Sequence, residues 1–109
     1  MYNGLKERNG IRIMKLIYGG NGTGKTKRIL EMSRDTKTPI MCESEQRRLR
    51  LLEKAKGYGI DIPNPVVFSN ALKGSKVLVD DPYRLLAAAV DVTLEGITVN
   101  VEPDDVEKL

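Results

Sequence analysis

Apolar residues in this chain gather in short runs whose period changes from one run to the next. Ile11 to Tyr18 reads as a first strand, apolar enough to lie inside a sheet. Gly19 to Gly24 is a glycine-rich turn, and Lys25 to about Ser33 follows as a short helix with Ile29 and Leu30 facing inward. Thr38 to Cys42 reads as a second strand, with Pro39 tolerated only near its start or on an edge. Glu43 to about Lys56 is the clearest helix. Leu49, Leu52 and Ala55 recur there at helical spacing, Arg47, Arg48, Arg50 and Lys54 fill the other faces, and Gly57 and Gly59 end it. Val66 to Phe68 is a short strand after a proline-containing loop. Lys76 to Val79 is a buried strand closing on Asp80 and Asp81. Pro82 suits the first turn of a helix that continues from Tyr83 to Val90, with Leu85, Leu86 and Ala89 inward. Ile97 to Val101 is the last expected strand, and the acidic tail from Glu102 to Leu109 caps an edge or frays.

Strands alternating with helices predict an α/β fold on a mostly parallel sheet of four to five strands flanked by helices, joined by right-handed crossovers. Residues 1–10 are polar and read as a flexible leader, which leaves residues 11–109 as a single domain.

Composition narrows the class of protein. With 40% hydrophobic and 30% charged residues, the chain has the balance of a soluble globular domain. No apolar run approaches the roughly 20 residues that span a bilayer, so no membrane partner is expected. The single cysteine, Cys42, has no partner for an internal disulfide, which points to a reducing, cytoplasmic setting and to a packing role. Charge is lopsided: residues 1–56 carry 14 Lys/Arg against 6 Asp/Glu, while residues 57–109 carry 4 against 9. A basic half suits phosphate on a nucleotide or nucleic acid, and equally suits solvated helix faces.

The glycine-rich turn carries the sharpest chemistry. Gly19-Gly20-Asn21-Gly22-Thr23-Gly24-Lys25-Thr26 fits G-x-x-x-x-G-K-[ST] without a gap. Consecutive backbone N–H groups point into one concavity only at φ values that glycine reaches at little cost. The helix opening at Lys25, with Lys27 just beyond, turns its unsatisfied N–H groups toward the same place. Lys25 supplies a point charge for β/γ phosphate oxygens, and the Thr26 hydroxyl is placed to ligate Mg²⁺. Val77-Leu78-Val79-Asp80-Asp81 gives a second half: an apolar strand closing on acid. Asp80 would hold Mg²⁺ through water, and Asp81 would orient or deprotonate an attacking water. Either aspartate would also serve as N-cap of the helix begun by Pro82.

Together these two segments resemble the Walker A and Walker B motifs of the P-loop NTPase superfamily. The resemblance implies a three-layer P-loop fold, with ATP and Mg²⁺ as cofactors. A strand–helix passage separates the motifs and an acidic residue follows Asp80, so the layout is more similar to RecA-like, AAA+ and helicase or terminase motors than to nucleotide kinases. In that branch a later strand carries a polar sensor, a role that falls on Asn100 or Thr98. The helical lid of AAA+ proteins and the second motor domain of helicases have no counterpart in these 109 residues. In this the chain looks like small stand-alone proteins encoded by bacteriophages. The base-reading Asn-Lys-x-Asp motif of GTPases is absent as well, which leaves ATP by default.

The functions implied are a small Mg²⁺-dependent ATPase acting as an oligomer or with a larger protein partner, or a nucleotide-dependent module that docks on protein or DNA with little turnover. Arg47, Arg48, Arg50 and Arg84 are candidates for an arginine finger. Arg47, Arg48, Arg50 and Lys54 with Lys56 are candidates for nucleic-acid phosphate contacts. No aromatic residues interleave with that cluster to support base stacking.

Overall fold

The computed structural model describes residues 6–8 and 11–109. The chain divides into two compact units, residues 1–25 with 96–109, and residues 26–95. Among the described residues the architecture is α/β, with three α-helices, two small parallel sheets and one antiparallel strand pair.

The larger unit is built on a three-stranded parallel sheet. Its central strand β4 (Ile40–Cys42) lies between β5 (Val66–Val67) and β6 (Leu78–Val79). The register sets Ile40 beside Leu78 and Met41 beside Val79, and the Pro39 carbonyl extends the ladder by accepting from the Leu78 N–H at 3.0 Å. Pro39 therefore stands just before the strand, where its missing N–H costs no ladder bond. Helices α1 (Lys25–Thr36) and α2 (Glu45–Tyr58) follow the expected pattern but run further than the sequence suggests, to Thr36 and Tyr58. Ser44 caps α2, its side chain accepting from the Arg47 N–H at 3.1 Å. Gly59, at φ 70°, closes the helix, and the Ile60 N–H reaches back to the Ala55 carbonyl at 2.8 Å. Such a left-handed terminus is the reason a glycine stands there.

The core gathers Leu30 from α1, Ile40 and Cys42 from β4, Leu51 and Ala55 from α2, and Ile60, with Ile29, Ile62, Val67 and Leu78 packed around it. The inward face of α2 thus differs from the periodicity reading: Leu51 is fully buried, whereas Leu49 is 52% exposed. Leu51 and Ala55 are four apart and share one face, while Leu49 sits two positions from Leu51, on another face of the helix. Helix α3 (Pro82–Val90) forms as expected, but Ala89 is exposed and only Leu85 and Leu86 are partly covered.

In the smaller unit, β1 (Lys6–Arg8) pairs antiparallel with β2 (Ile11–Ile13), and β3 (Leu16–Tyr18) pairs parallel with β7 (Val106–Lys108). The expected leader at residues 1–10 falls largely outside the described residues, with Lys6–Arg8 a strand within it. The single strand expected over Ile11 to Tyr18 is two strands, separated at Met14 and Lys15. A second expectation is corrected more sharply. Ile97 to Val101 is not a strand; Ile97 and Val99 are exposed, and the acidic tail supplies the strand instead. A β-rich composition needs an edge to pair with, and here Val106–Lys108 pairs with β3. The Leu109 N–H continues that ladder to the Tyr18 carbonyl at 2.9 Å, and Lys15 meets Glu107 at 3.2 Å.

No helix among the described residues is long and apolar enough to cross a membrane. The core assignment has a direct check by urea denaturation. Leu51→Ala is expected to cost about 2–5 kcal/mol, because a fully buried leucine leaves a cavity. Leu49→Ala should stay within about 0.5 kcal/mol.

Candidate functional site

Each unit contributes a distinct arrangement of the residues singled out in the sequence. In the smaller unit, Gly19–Gly24 leads from the end of β3 to the first residue of α1. Gly22 and Gly24 take φ of 75° and 87°, in the left-handed region that side chains rarely enter. Gly19 is constrained by space rather than by φ: a Cβ there would lie 2.5 Å from Thr23 Oγ1 and 3.1 Å from the Leu109 carbonyl oxygen. Thr23 Oγ1 donates to the Gly20 carbonyl at 2.7 Å, and Lys25 Nζ donates to the same oxygen. The ammonium therefore rests on a main-chain oxygen, a neutral partner that an anionic oxygen outcompetes as acceptor. Gly20, Asn21 and Gly22 are exposed, so the loop's surface is open to solvent.

The first turn of α1 has no acidic residue, yet it holds Lys25, Lys27 and Arg28. Cations at a helix N-terminus oppose the helix dipole. Lys27 also lies over the Tyr58 ring, 5.5 Å from its centroid.

In the larger unit the parallel register of β4 and β6 decides the geometry. Because Met41 lies beside Val79, Asp80 leaves the sheet next to the start of α2, at the carboxyl ends of adjacent parallel strands. Open α/β sheets bind ligands at such ends. Asp80 Oδ2 accepts from Thr26 Oγ1 at 3.1 Å and from Arg47 Nη2 at 2.9 Å. Thr26 and Asp80 are 54 residues apart in sequence, and both were assigned to metal binding from sequence alone. Arg47, a candidate arginine finger and nucleic-acid contact in the sequence, instead meets Asp80 of its own chain. Its side chain is 11% exposed and that of Asp80 13%, so the pair is largely out of water. Removing one partner of a buried pair costs about 3–5 kcal/mol, and the remaining exposure puts this one near the lower end.

The other predicted residues are placed differently. Asp81, at φ 71°, is the N-cap of α3: one carboxylate oxygen accepts from the Tyr83 N–H at 3.1 Å and the other from Arg84 Nε at 3.2 Å. Both of its oxygens thus serve its own helix. Arg84, a finger candidate, has its guanidinium on that carboxylate. Asn100 is exposed in the unpaired stretch 97–101 of the smaller unit. Arg48 is tied to Glu45 through two bonds of 2.7 and 2.6 Å and to the Asn64 side-chain oxygen at 2.7 Å. The Glu45 carboxyl is held below its usual range by the Arg48 guanidinium. Arg50 and Lys54 are exposed on α2. Cys42 is buried, and its thiol donates toward the Ser44 and Val66 carbonyls at 3.5 and 3.6 Å. Burial pushes that thiol up from its ordinary value.

The donor set bears on which cation Thr26 and Asp80 could take. A hydroxyl and a carboxylate are hard oxygen ligands, and Mg²⁺ characteristically takes one or two protein oxygens and fills its shell with water and substrate phosphates. Among the described residues no group of three or more His, Cys, Asp or Glu side chains could hold a metal by itself. Thr26 and Asp80 thus offer two hard oxygen donors, fewer than such a cation's full shell. No family model, curated protein or solved structure matches this chain.

Two outcomes test the placements. Asp81→Ala should lower stability by about 1 kcal/mol through loss of the cap, while Asp81→Asn, a good cap that tolerates positive φ, should be close to neutral in thermal unfolding. Cys42 should be alkylated by iodoacetamide at pH 8 far more slowly in the folded protein than in urea, because burial disfavours the thiolate.

Proposed function

We propose that this chain binds a nucleoside triphosphate, ATP with Mg²⁺, through Gly19–Thr26, and that it is a small P-loop ATPase with the three-layer P-loop fold, working as an oligomer or with a partner. The observation that carries the reading is the 3.1 Å hydrogen bond from Thr26 to Asp80. The last residue of the glycine-rich motif and the acid closing a distant apolar strand meet, as a shared cation would require. The unbroken motif and the open, glycine-shaped turn add to it.

In this reading the N–H groups of the turn and the start of α1 receive phosphate oxygens, and Lys25 exchanges the Gly20 carbonyl for one of them. Thr26, whose hydroxyl donates to Asp80, would offer a lone pair to a divalent cation. Asp80 would hold such a cation through water. Mg²⁺, when bound there, would supply neutralisation of phosphate charge. ATP is favoured over GTP only because no base-reading motif is present.

A second reading has its own support. Asp81 is occupied as a cap by Tyr83 and Arg84, which leaves it poorly disposed to activate water. A nucleotide-dependent module with little turnover, docking on protein or nucleic acid, fits that arrangement. The exposed Arg50 and Lys54 are then the basic residues open to a partner, since Arg47 and Arg48 are held by carboxylates.

Calorimetric titration with MgATP is the primary test. Lys25→Ala should weaken binding by about tenfold or more, in line with the loss of a charge-assisted phosphate contact. An unchanged affinity would remove the motif from nucleotide binding. Steady-state hydrolysis across protein concentrations, with and without single-stranded DNA, separates the two readings. A rate rising faster than linearly with protein, or rising with DNA, identifies an ATPase with shared sites; a rate equal to that of Lys25→Ala identifies the binding module.

A further inference from the structure

Arg47 is a charged group at the Thr26–Asp80 pair that the proposed function does not use. Its place follows from the fold. As the third residue of α2, with its backbone N–H held by the Ser44 side chain, it projects from the start of the helix that succeeds β4. Asp80 leaves the neighbouring strand at the same level. The guanidinium lands on Oδ2, the oxygen that also accepts from Thr26. A cation drawn to the Thr26 hydroxyl and the Asp80 carboxylate would meet a fixed positive charge at about one ion-pair distance.

We propose that Arg47 is an internal stand-in for the metal: it neutralises Asp80 when no divalent cation is present, and it must release Oδ2 for one to bind. This rests on the reading of Thr26 and Asp80 as the metal-side residues of a nucleotide site. Two consequences follow from charge alone. With Arg47 in place, Asp80 does not repel a metal-free polyphosphate, and metal binding is weakened by a like charge close by. Without Arg47, Asp80 carries an uncompensated charge that attracts the cation and repels metal-free nucleotide. Arg47 therefore sets how strongly nucleotide binding depends on Mg²⁺. It acts through Asp80 and is a positioning residue.

The pair's burial gives this consequence weight. Exposed ion pairs are screened and contribute little, whereas these side chains are 11% and 13% exposed. Arg48, by contrast, sits on Glu45, whose side chain is 62% exposed, and has no comparable leverage on Asp80.

The experiment measures ATP affinity by calorimetry in EDTA and in excess Mg²⁺ for wild type, Arg47→Gln and Arg47→Lys, with folding checked by circular dichroism. The ratio of the two dissociation constants should rise about tenfold or more in Arg47→Gln, given a unit charge removed beside the cation. In Arg47→Lys, which keeps the charge, it should stay near the wild-type value. An unchanged ratio in Arg47→Gln overturns the proposal, as does equal weakening under both conditions, which would make Arg47 a direct phosphate contact. If wild type binds no ATP under either condition, the nucleotide reading itself fails. The competition is then read from Mn²⁺ alone by electron paramagnetic resonance: tighter binding by Arg47→Gln upholds it and equal binding overturns it. Should Arg47→Gln not fold, Arg47→Met replaces it, keeping the length of the side chain without the charge.

Discussion

The parallel pairing of β4 with β6 governs most of what is distinctive in the larger unit. Ile40 and Met41 lie beside Leu78 and Val79, so both chains leave the sheet at the same level and in the same direction. From that level β4 runs through Ser44 into α2, and β6 runs through Asp80 and Asp81 into α3. The start of α2 and the end of β6 are therefore brought side by side. A slip of one residue in this register would turn every side chain on β6 to the opposite face. The core holds the register in place: Ile40 is fully buried with Leu30 and Leu51, and Leu78 packs against them.

That pairing also sets the electrostatics. Asp80 is mostly withdrawn from water, and a carboxylate so placed needs partners. It takes the Thr26 hydroxyl and the Arg47 guanidinium on one oxygen. The adjacent Asp81 meets a different fate because the chain must turn at once into α3. With φ of 71° and Pro82 fixed behind it, Asp81 spends its carboxylate on the Tyr83 N–H and Arg84. Two neighbouring aspartates of like chemistry are separated into different roles by one backbone turn.

The smaller unit obeys a simpler constraint. Its glycine-rich turn is shaped by two left-handed glycines and by the lack of room for a side chain at Gly19, where Thr23 and Leu109 approach. The β3–β7 ladder brings Leu109 there. The acidic tail thus helps define the space around the turn, a role that its composition does not suggest.

What the sequence determined by itself is local. Gly19–Thr26, Pro82 after an acidic pair and Gly59 after a helix all act through their own backbone preferences, and the three helices form close to where the sequence puts them, while the strands of the larger unit are shorter than their apolar runs. The α/β class was legible for the same reason. Tertiary structure alone decided the rest. Strand pairing chose Val106–Lys108 over the more β-like Ile97–Val101, because a strand exists only against a partner edge. Packing chose Leu51 over Leu49, because the face of α2 that is buried depends on where β4 lies. Arg47 looked like one member of a basic helix face, and only the order of strands β5, β4 and β6 put it on Asp80. Local conformational preference is written residue by residue, whereas pairing between distant residues is settled by which surfaces the folded chain brings together.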